Sequence, residues 1–372
     1  MIDHERARRP LADRTTIPLV MSNGPYISGF GAIGLGDRPA VGGKGASLGE
    51  LSRAGLPVPA GFVITTRAFA EFIAAADPGG EIAQLIEAAD ANDLDSVSRA
   101  AGAVRQRILS AQMAPMLQEL VGSAYAELRG NDSSITVAIR SSAIGEDSAE
   151  ASFAGLQETF LWVRDEAGVM RSVLDCWASL YSLESVSYRR RLSLPERGIG
   201  MAVVVQRMVH SRCSGVMFTR SPVTGDRSVI ALEGSWGLGS CIVSGEVTPD
   251  KFVISKVTGH IVSRTVSSKS MQHVPDLQAG GVRAEPVPDE RKSRPCLTDE
   301  EIGRLAQLAT SIEQHYGSPQ DIEWAIDSHG GQLYVLQSRP ETAWSKRDAT
   351  PVATPKQHAF DHVVGALTGR RS

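Results

Sequence analysis

Three short stretches and one isolated amide carry residue types that could handle a phosphorylated ligand. Gly42, Gly43, Lys44 and Gly45 stand where a helix is predicted to open. Glycines let a backbone approach a ligand closely, a helix start presents free N–H groups, and Lys44 adds a full positive charge there. The same run would also serve as an ordinary turn with a solvated lysine. Arg140 closes the β-branched run ITVAIR and precedes a Ser/Gly loop that reaches Gly155 and Thr159. An arginine in that place can grip phosphate oxygens with two N–H groups while loop amides and the Thr159 hydroxyl close around them. Alternatively, it pairs with Glu146 or Asp147 and pins the loop. Near the end of the chain, DIEWAI and QLYVLQSR read as two strands. Period-two alternation puts Asp321 and Glu323 on one face, and groups Gln337 and Arg339 with Val335 and Leu333. If the strands pair antiparallel, Glu323 and Gln337 offer hard oxygen donors suited to a nucleotide-bound Mg²⁺, and Arg339 offers charge against phosphate. Gln206 interrupts the apolar strand MAVVVQRMV and could border a base or satisfy a neighbouring strand.

Other patterns fail their own tests. Gly29, Gly31 and Gly34 satisfy GxGxxG, but LGDRPAVGG after them cannot begin the helix that a dinucleotide site requires. Lys44 is followed by Gly45, so the run is not a Walker A loop. His358 and His362 are four apart but lack the glutamate of a zinc-protease helix. The four cysteines form no CxxC pair, and no Ser/His/Asp set is defensible from spacing.

These residues need a scaffold of mixed type. The chain has 372 residues, 42% hydrophobic and 22% charged, with net charge −4. That size argues for two or three domain-sized units, and the charge gives no reason to expect nucleic acid as a partner. The charged N-terminus lacks a secretory h-region and no apolar run is long enough to span a bilayer, so a cytoplasmic protein with no membrane partner is expected. We expect a mobile arm over 1–16, an N-terminal lobe over 17–198 beginning with a strand at Ile17–Val20, a C-terminal lobe over 199–345 and a tail over 346–372. Helices are expected at 44–54, 66–76, 81–90, 94–128, 168–192 and 299–316, the last opened by a Thr298/Glu301 capping box. From Met201 onward the pattern is mainly strand, with 270–296 a surface excursion and EGSWGLGSCIVSGEV a glycine-rich loop near phosphate or a tight packing element.

The stretches VGGKGASLGEL, GLPVPAGFVITTRAF, VAIRSSAIGEDSAEASFAGLQETF, VVVQRMV, SGVMFT, EGSWGLGSCIVSGEVTPDKF and QDIEWAI…LYVLQSRPET occur in that order over 41–342. Together they resemble the ATP-binding domain of the phosphoenolpyruvate synthase and pyruvate phosphate dikinase family, which also occurs in rifampicin phosphotransferase. The resemblance implies an α+β, ATP-grasp-like fold in which two lobes clamp ATP. It implies Lys44, Arg140, Gly155 and Thr159 on the phosphate side, and Gln206 on the nucleoside side. Glu323 and Gln337 would hold Mg²⁺, and Arg140 and Arg339 would be the catalytic arginines. Only 32 residues follow Pro340, and none is a histidine in the expected context, so the phosphoryl-accepting histidine is expected on a partner subunit. Such chains resemble the ATP-binding subunits of aryl phosphate synthases, which act on phenol or 4-alkylphenols. A split phosphoenolpyruvate synthase acting on pyruvate, or a regulatory nucleotide-binding module, are the alternatives.

Overall fold

The computed structural model describes residues 24–144, 147–148, 151–152, 158–276, 280–342 and 344. The expected arm, the strand at Ile17–Val20, Gly155, Glu146 and the tail with His358 and His362 lie outside the described residues.

Strand β1 (Ile27–Gly29) is followed by helix α1 (Arg38–Arg53), β2 (Gly61–Ile64) and four helices, α2 (Thr66–Ala76), α3 (Glu81–Ala88), α4 (Leu94–Ser110) and α5 (Pro115–Arg129). The expected helix over 94–128 is therefore two. Pro115 has no N–H to give and stands at the start of the second, where that loss is harmless. Strand β3 (Val137–Ala143) leads to a pair of two-residue strands, β4 (Asp147–Ser148) and β5 (Ala151–Ser152), then β6 (Thr159–Val163). The expected helix over 168–192 is also two, α6 (Glu166–Ser179) and α7 (Leu183–Arg191), because Ser182 adopts extended backbone and caps the second by accepting from the Ser185 N–H.

Strand β7 (Met201–Arg207) completes a five-stranded antiparallel sheet in the order β1-β2-β7-β3-β6. A lobe beginning at 199 would assign β7 to the second half. Its hydrogen bonds put it instead in the middle of the first sheet, with Val203 opposite both Ile64 and Ser141. The chain changes sheet after β7, through Met208–His210.

The second sheet is six-stranded and antiparallel, in the order β11-β10-β9-β8-β14-β15. It is formed by β8 (Ser211–Phe218), β9 (Val229–Trp236), β10 (Asp250–Ser255), β11 (Ile261–Thr265), β14 (Gln320–Asp327) and β15 (Leu333–Pro340), with the short helix α8 (Ser240–Val243) after β9. The expected surface excursion at 270–296 contains an ordered hairpin, β12 (Met271–Pro275) with β13 (Val282–Pro286), and a short helix α9 (Asp289–Lys292). Helix α10 (Asp299–Tyr316) follows, with both bonds of its capping box in place: Glu301 N–H to Thr298 Oγ1 at 3.2 Å and Thr298 N–H to Glu301 Oε2 at 2.9 Å.

One face of the first sheet, with Ile139, Val203 and Val205, packs against α2 to α6. Its other face, with Ala202 and Val204, joins α1 and the second sheet in a core that includes Leu48, Met217, Trp324 and Ile302. Helix α1 is thus sandwiched between sheets, and the Ser47 hydroxyl donates to the Ser338 carbonyl at 2.7 Å. Among the described residues, no helix is long and apolar enough to cross a membrane.

Candidate functional site

Gly42 breaks α1. Its backbone takes φ 68°, ψ 178°, so the helix proper starts at the predicted glycine–lysine run. A Cβ at Gly42 would lie 2.2 Å from the Ser142 carbonyl oxygen, which makes glycine a requirement there. The kink presses α1 onto the end of β3. Ser142 Oγ accepts from Gly45 N–H at 3.2 Å and donates to the Val41 carbonyl at 3.0 Å, while Lys44 Nζ donates to the Ser141 carbonyl at 3.1 Å. Lys44 is therefore buried beside the residue that follows Arg140, rather than solvated.

Alternation on β3 sends Val137 and Ile139 into the first core and leaves Ala138 and Arg140 on the cleft side. On β7 the cleft face runs Ala202, Val204, Gln206, and Gln206 is register partner of Ala138. Thr159 of β6 is register partner of Arg140. Facing them, Glu323 of β14 and Gln337 of β15 are register partners. Arg140 joins the halves. Its Nη1 donates to the Leu336 carbonyl at 3.0 Å, and its Nη2 donates to Gln337 Oε1 and stands 3.6 Å from a Glu323 oxygen. The alternative pairing with Glu146 or Asp147 rests on side chains outside the described ones.

Simple alternation grouped Gln337 and Arg339 with Val335 and Leu333, and this is corrected by a β-bulge. The register jumps between Glu323/Gln337 and Trp324/Val335, leaving Leu336 as the extra residue. Val335 and Leu333 face the core, whereas Gln337 is turned onto the face of Glu323.

A cavity of about 370 Å³ lies between the two sheets. Arg140, Thr159, Gln206 and Glu323 line it, and Leu161, Val216, Leu238 and Leu336 supply apolar wall. A few polar groups among apolar surface is the usual make-up of a small-molecule site. Two donors in this wall are unmatched: Gln206 Nε2 and Arg140 Nε are buried without a hydrogen-bond partner. Unmatched atoms also occur elsewhere among the described residues, at Arg129, Trp177 and Arg190 for example, so it is the position of these two on the cavity lining that opens them to acceptors from a ligand. A purine, ribose and phosphate carry acceptors of that kind.

Lys44, Gln337 and Arg339 do not line this cavity. Arg339 is half-exposed and its Nε stands 3.4 Å from Asp321 Oδ2. Asp321, grouped with Glu323 by alternation but left out of the expected site, has a buried Oδ1 with no partner. Burial pushes its carboxyl up to about 6, against the opposing pull of Arg339. The glycine-rich stretch after β9 supplies a wall of the cavity through Leu238–Val243, and the run WGLG was the signal for it. A larger cavity, about 600 Å³, lies across the Arg207–Val209 segment and contains none of Lys44, Arg140, Glu323 or Gln337.

Among the described residues, no group of three or more His, Cys, Asp or Glu side chains could hold a metal ion. The donor set is instead one carboxylate and one amide oxygen on adjacent strands. That suits Mg²⁺, which keeps few protein ligands and takes the rest from phosphates and water.

The model of the pyruvate phosphate dikinase AMP/ATP-binding domain matches residues 38–359. The chain belongs to this family. It is 40% identical over 336 residues to the phosphoenolpyruvate synthase of Escherichia coli K12, covering 87% of this chain and 42% of that protein. It is 39% identical over 366 residues to the probable phosphoenolpyruvate synthase of Staphylothermus marinus, covering 90% and 44%. It is also 42% identical over 303 residues to a rifampicin phosphotransferase from Streptomyces sp., covering 81% and 34%. The chain spans less than half the length of these relatives. Membership of this family makes the chain an AMP/ATP-binding domain.

Proposed function

We propose that this chain forms the ATP site of a phosphotransferase. It cleaves ATP to AMP and phosphate and passes a phosphoryl group to a histidine on a partner subunit, for transfer to phenol or a 4-alkylphenol. The observation that carries this reading is Arg140: one guanidinium reaches the backbone of Leu336, the amide of Gln337 and the carboxylate of Glu323 across a cavity whose wall holds the unmatched amide of Gln206.

Gln206 binds the nucleoside, while Arg140, Lys44 and Thr159 hold the phosphates, the role that the resemblance also gives to Gly155. Glu323 and Gln337 are the residues that would hold Mg²⁺, which supplies charge neutralisation along the phosphate chain when bound. Arg339 stands beyond the cavity on the same face as Gln337 and meets the far end of that chain. None of these side chains acts as a nucleophile. Phosphoryl transfer needs alignment and charge neutralisation more than covalent help, and a site made of Lys, Arg and oxygen donors provides both. The buried setting of Lys44 and Arg140 strengthens their effect, because a fixed charge away from water needs no reorganisation during the reaction.

The test is incubation with Mg²⁺ and β-labelled ATP, alone and with a histidine-bearing partner, followed by phenol, a 4-alkylphenol or pyruvate. AMP and labelled partner appearing only together, and label moving to a phenol, support the full reading. Label moving to pyruvate keeps the site assignment and replaces the acceptor. ATP binding without label on any partner leaves a nucleotide-binding regulatory module as the better account.

A further inference from the structure

The wall segment Leu238–Val243 is held from behind by hairpin β12–β13, through one residue of β12. The Leu238 N–H donates to the His273 carbonyl at 3.0 Å, and a Cβ at Gly237 would lie 2.4 Å from that same oxygen. The His273 side chain then makes one contact with the segment and one just beyond it. Its Nδ1 lies 2.8 Å from Ser240 Oγ, and its Nε2 lies 3.1 Å from Glu246 Oε2. Ser240 itself lines the cavity.

For a neutral His273 ring, the chemistry of these groups gives each bond a direction. Hydrogen bonds from Ser244 and His273 hold the Glu246 carboxyl below its usual range, so it is an ionised acceptor. An ionised carboxylate has no proton to share, so Nε2 of His273 carries the hydrogen. In the neutral ring Nδ1 is then bare and accepts, and Ser240 must donate its only hydrogen to it. What remains on Ser240 Oγ is a pair of lone pairs.

We propose that Ser240 is a nucleoside-binding residue whose hydroxyl is turned by His273, itself oriented by Glu246, so that it offers the cavity a pure hydrogen-bond acceptor. This rests on the reading of the cavity as an ATP site and extends it. The group it selects is an N–H or O–H donor of the nucleoside, either the purine amine or a ribose hydroxyl. It complements Gln206, whose Nε2 on the lining of the same cavity is an unmatched donor. Donor and acceptor together make the wall selective by polarity and not only by shape. His273 and Glu246 touch no ligand and are positioning residues.

Nucleotide affinity is measured on the full chain with Mg²⁺ by calorimetry, using ATP, 2′-deoxy-ATP, 3′-deoxy-ATP and ITP. Ser240→Ala is expected to weaken ATP about threefold to tenfold. His273→Gln keeps an amide near Glu246 but loses the contact with Ser240, and is expected to match S240A. His273→Asn places an acceptor near the former Nδ1 and is expected to restore most of the affinity, which a purely structural role for the ring would not do. In the S240A/H273Q double variant the losses are expected not to add, as for one interaction removed twice. One of the three analogues should bind the wild type more weakly than ATP, ITP pointing to the amine and a deoxynucleotide to the ribose, and that gap should vanish in S240A. ATP affinity unchanged in S240A, additive losses, or no weaker analogue overturns the assignment of Ser240. If a variant does not fold, the analogue comparison on the wild type still decides. Failure of the wild type to bind ATP at all overturns the ATP-site reading itself, which is a different result.

Discussion

Lys269 and Asp250 are both completely buried, whereas Arg140 and Glu323 meet at the cleft with 11% and 40% of their side chains exposed. In the buried pair every charged atom has a partner. Asp250 Oδ1 accepts from Lys269 at 2.6 Å and from the Ser267 N–H at 2.9 Å, its Oδ2 accepts from the Cys296 N–H at 2.8 Å, and Lys269 also donates to the Ser267 carbonyl at 2.8 Å. These bonds tie the segment after β11 and the start of α10's approach to the edge of β10. The cleft cluster is unsaturated: Arg140 Nε and Gln206 Nε2 are buried without partners, as is Asp321 Oδ1 two residues before Glu323. A charged pair with every atom matched has nothing left for a ligand and serves the fold. A cluster with atoms in deficit holds its shape by other means and keeps capacity for something that arrives later.

That contrast can be broken, and the largest effect is expected at the buried pair. Lys269→Ala strands a buried carboxylate and should lower stability by about 3–5 kcal/mol, read from the urea midpoint, while the protein that remains folded still binds ATP. Weak ATP binding with little loss of stability would reverse the roles assigned to the two pairs. For Arg140→Ala the expectation is opposite: AMP formation with the partner falls about 10²–10³-fold and the midpoint stays close to wild type. Gly42→Ala tests whether the kink that seats Lys44 is a requirement of the backbone. A side chain forced into φ 68° against the Ser142 carbonyl should cost about 1–3 kcal/mol in denaturant melts. Smallest is Gln206→Met, which removes an amide the fold does not use. Stability should move by less than about 1 kcal/mol, with ATP affinity reduced about threefold to tenfold in calorimetry.

Local signals carried much of this in advance. The Thr298/Glu301 capping box, the glycines around Lys44 and the β-branched strands are determined by neighbours within a few residues, and each element formed where those neighbours placed it. What escaped were facts that depend on a distant partner. β7 reads as a strand from its valines, but its place between β2 and β3 depends on which edges are free. The bulge at Leu336 depends on the register of β14 against β15, and nothing in LYVLQSR marks it. Arg140 reads from the sequence either as a grip for phosphate or as a pin for its loop, and its hold on Gln337 and Glu323, which joins positions nearly two hundred apart, is in neither reading. The hairpin at β12–β13 was hidden by composition, since its prolines and charges resemble an irregular loop.

The core that takes in Leu48 and Val204 from the first lobe and Met217, Trp324 and Ile302 from the second has a consequence for folding rather than chemistry. The first sheet has a second core of its own against α2 to α6, whereas the second sheet's core is completed only by α1 and the face of the first sheet that carries Ala202 and Val204. The two sheets should therefore melt in one cooperative transition, and cutting the chain at Met208–His210 should release a second half that is not stable alone.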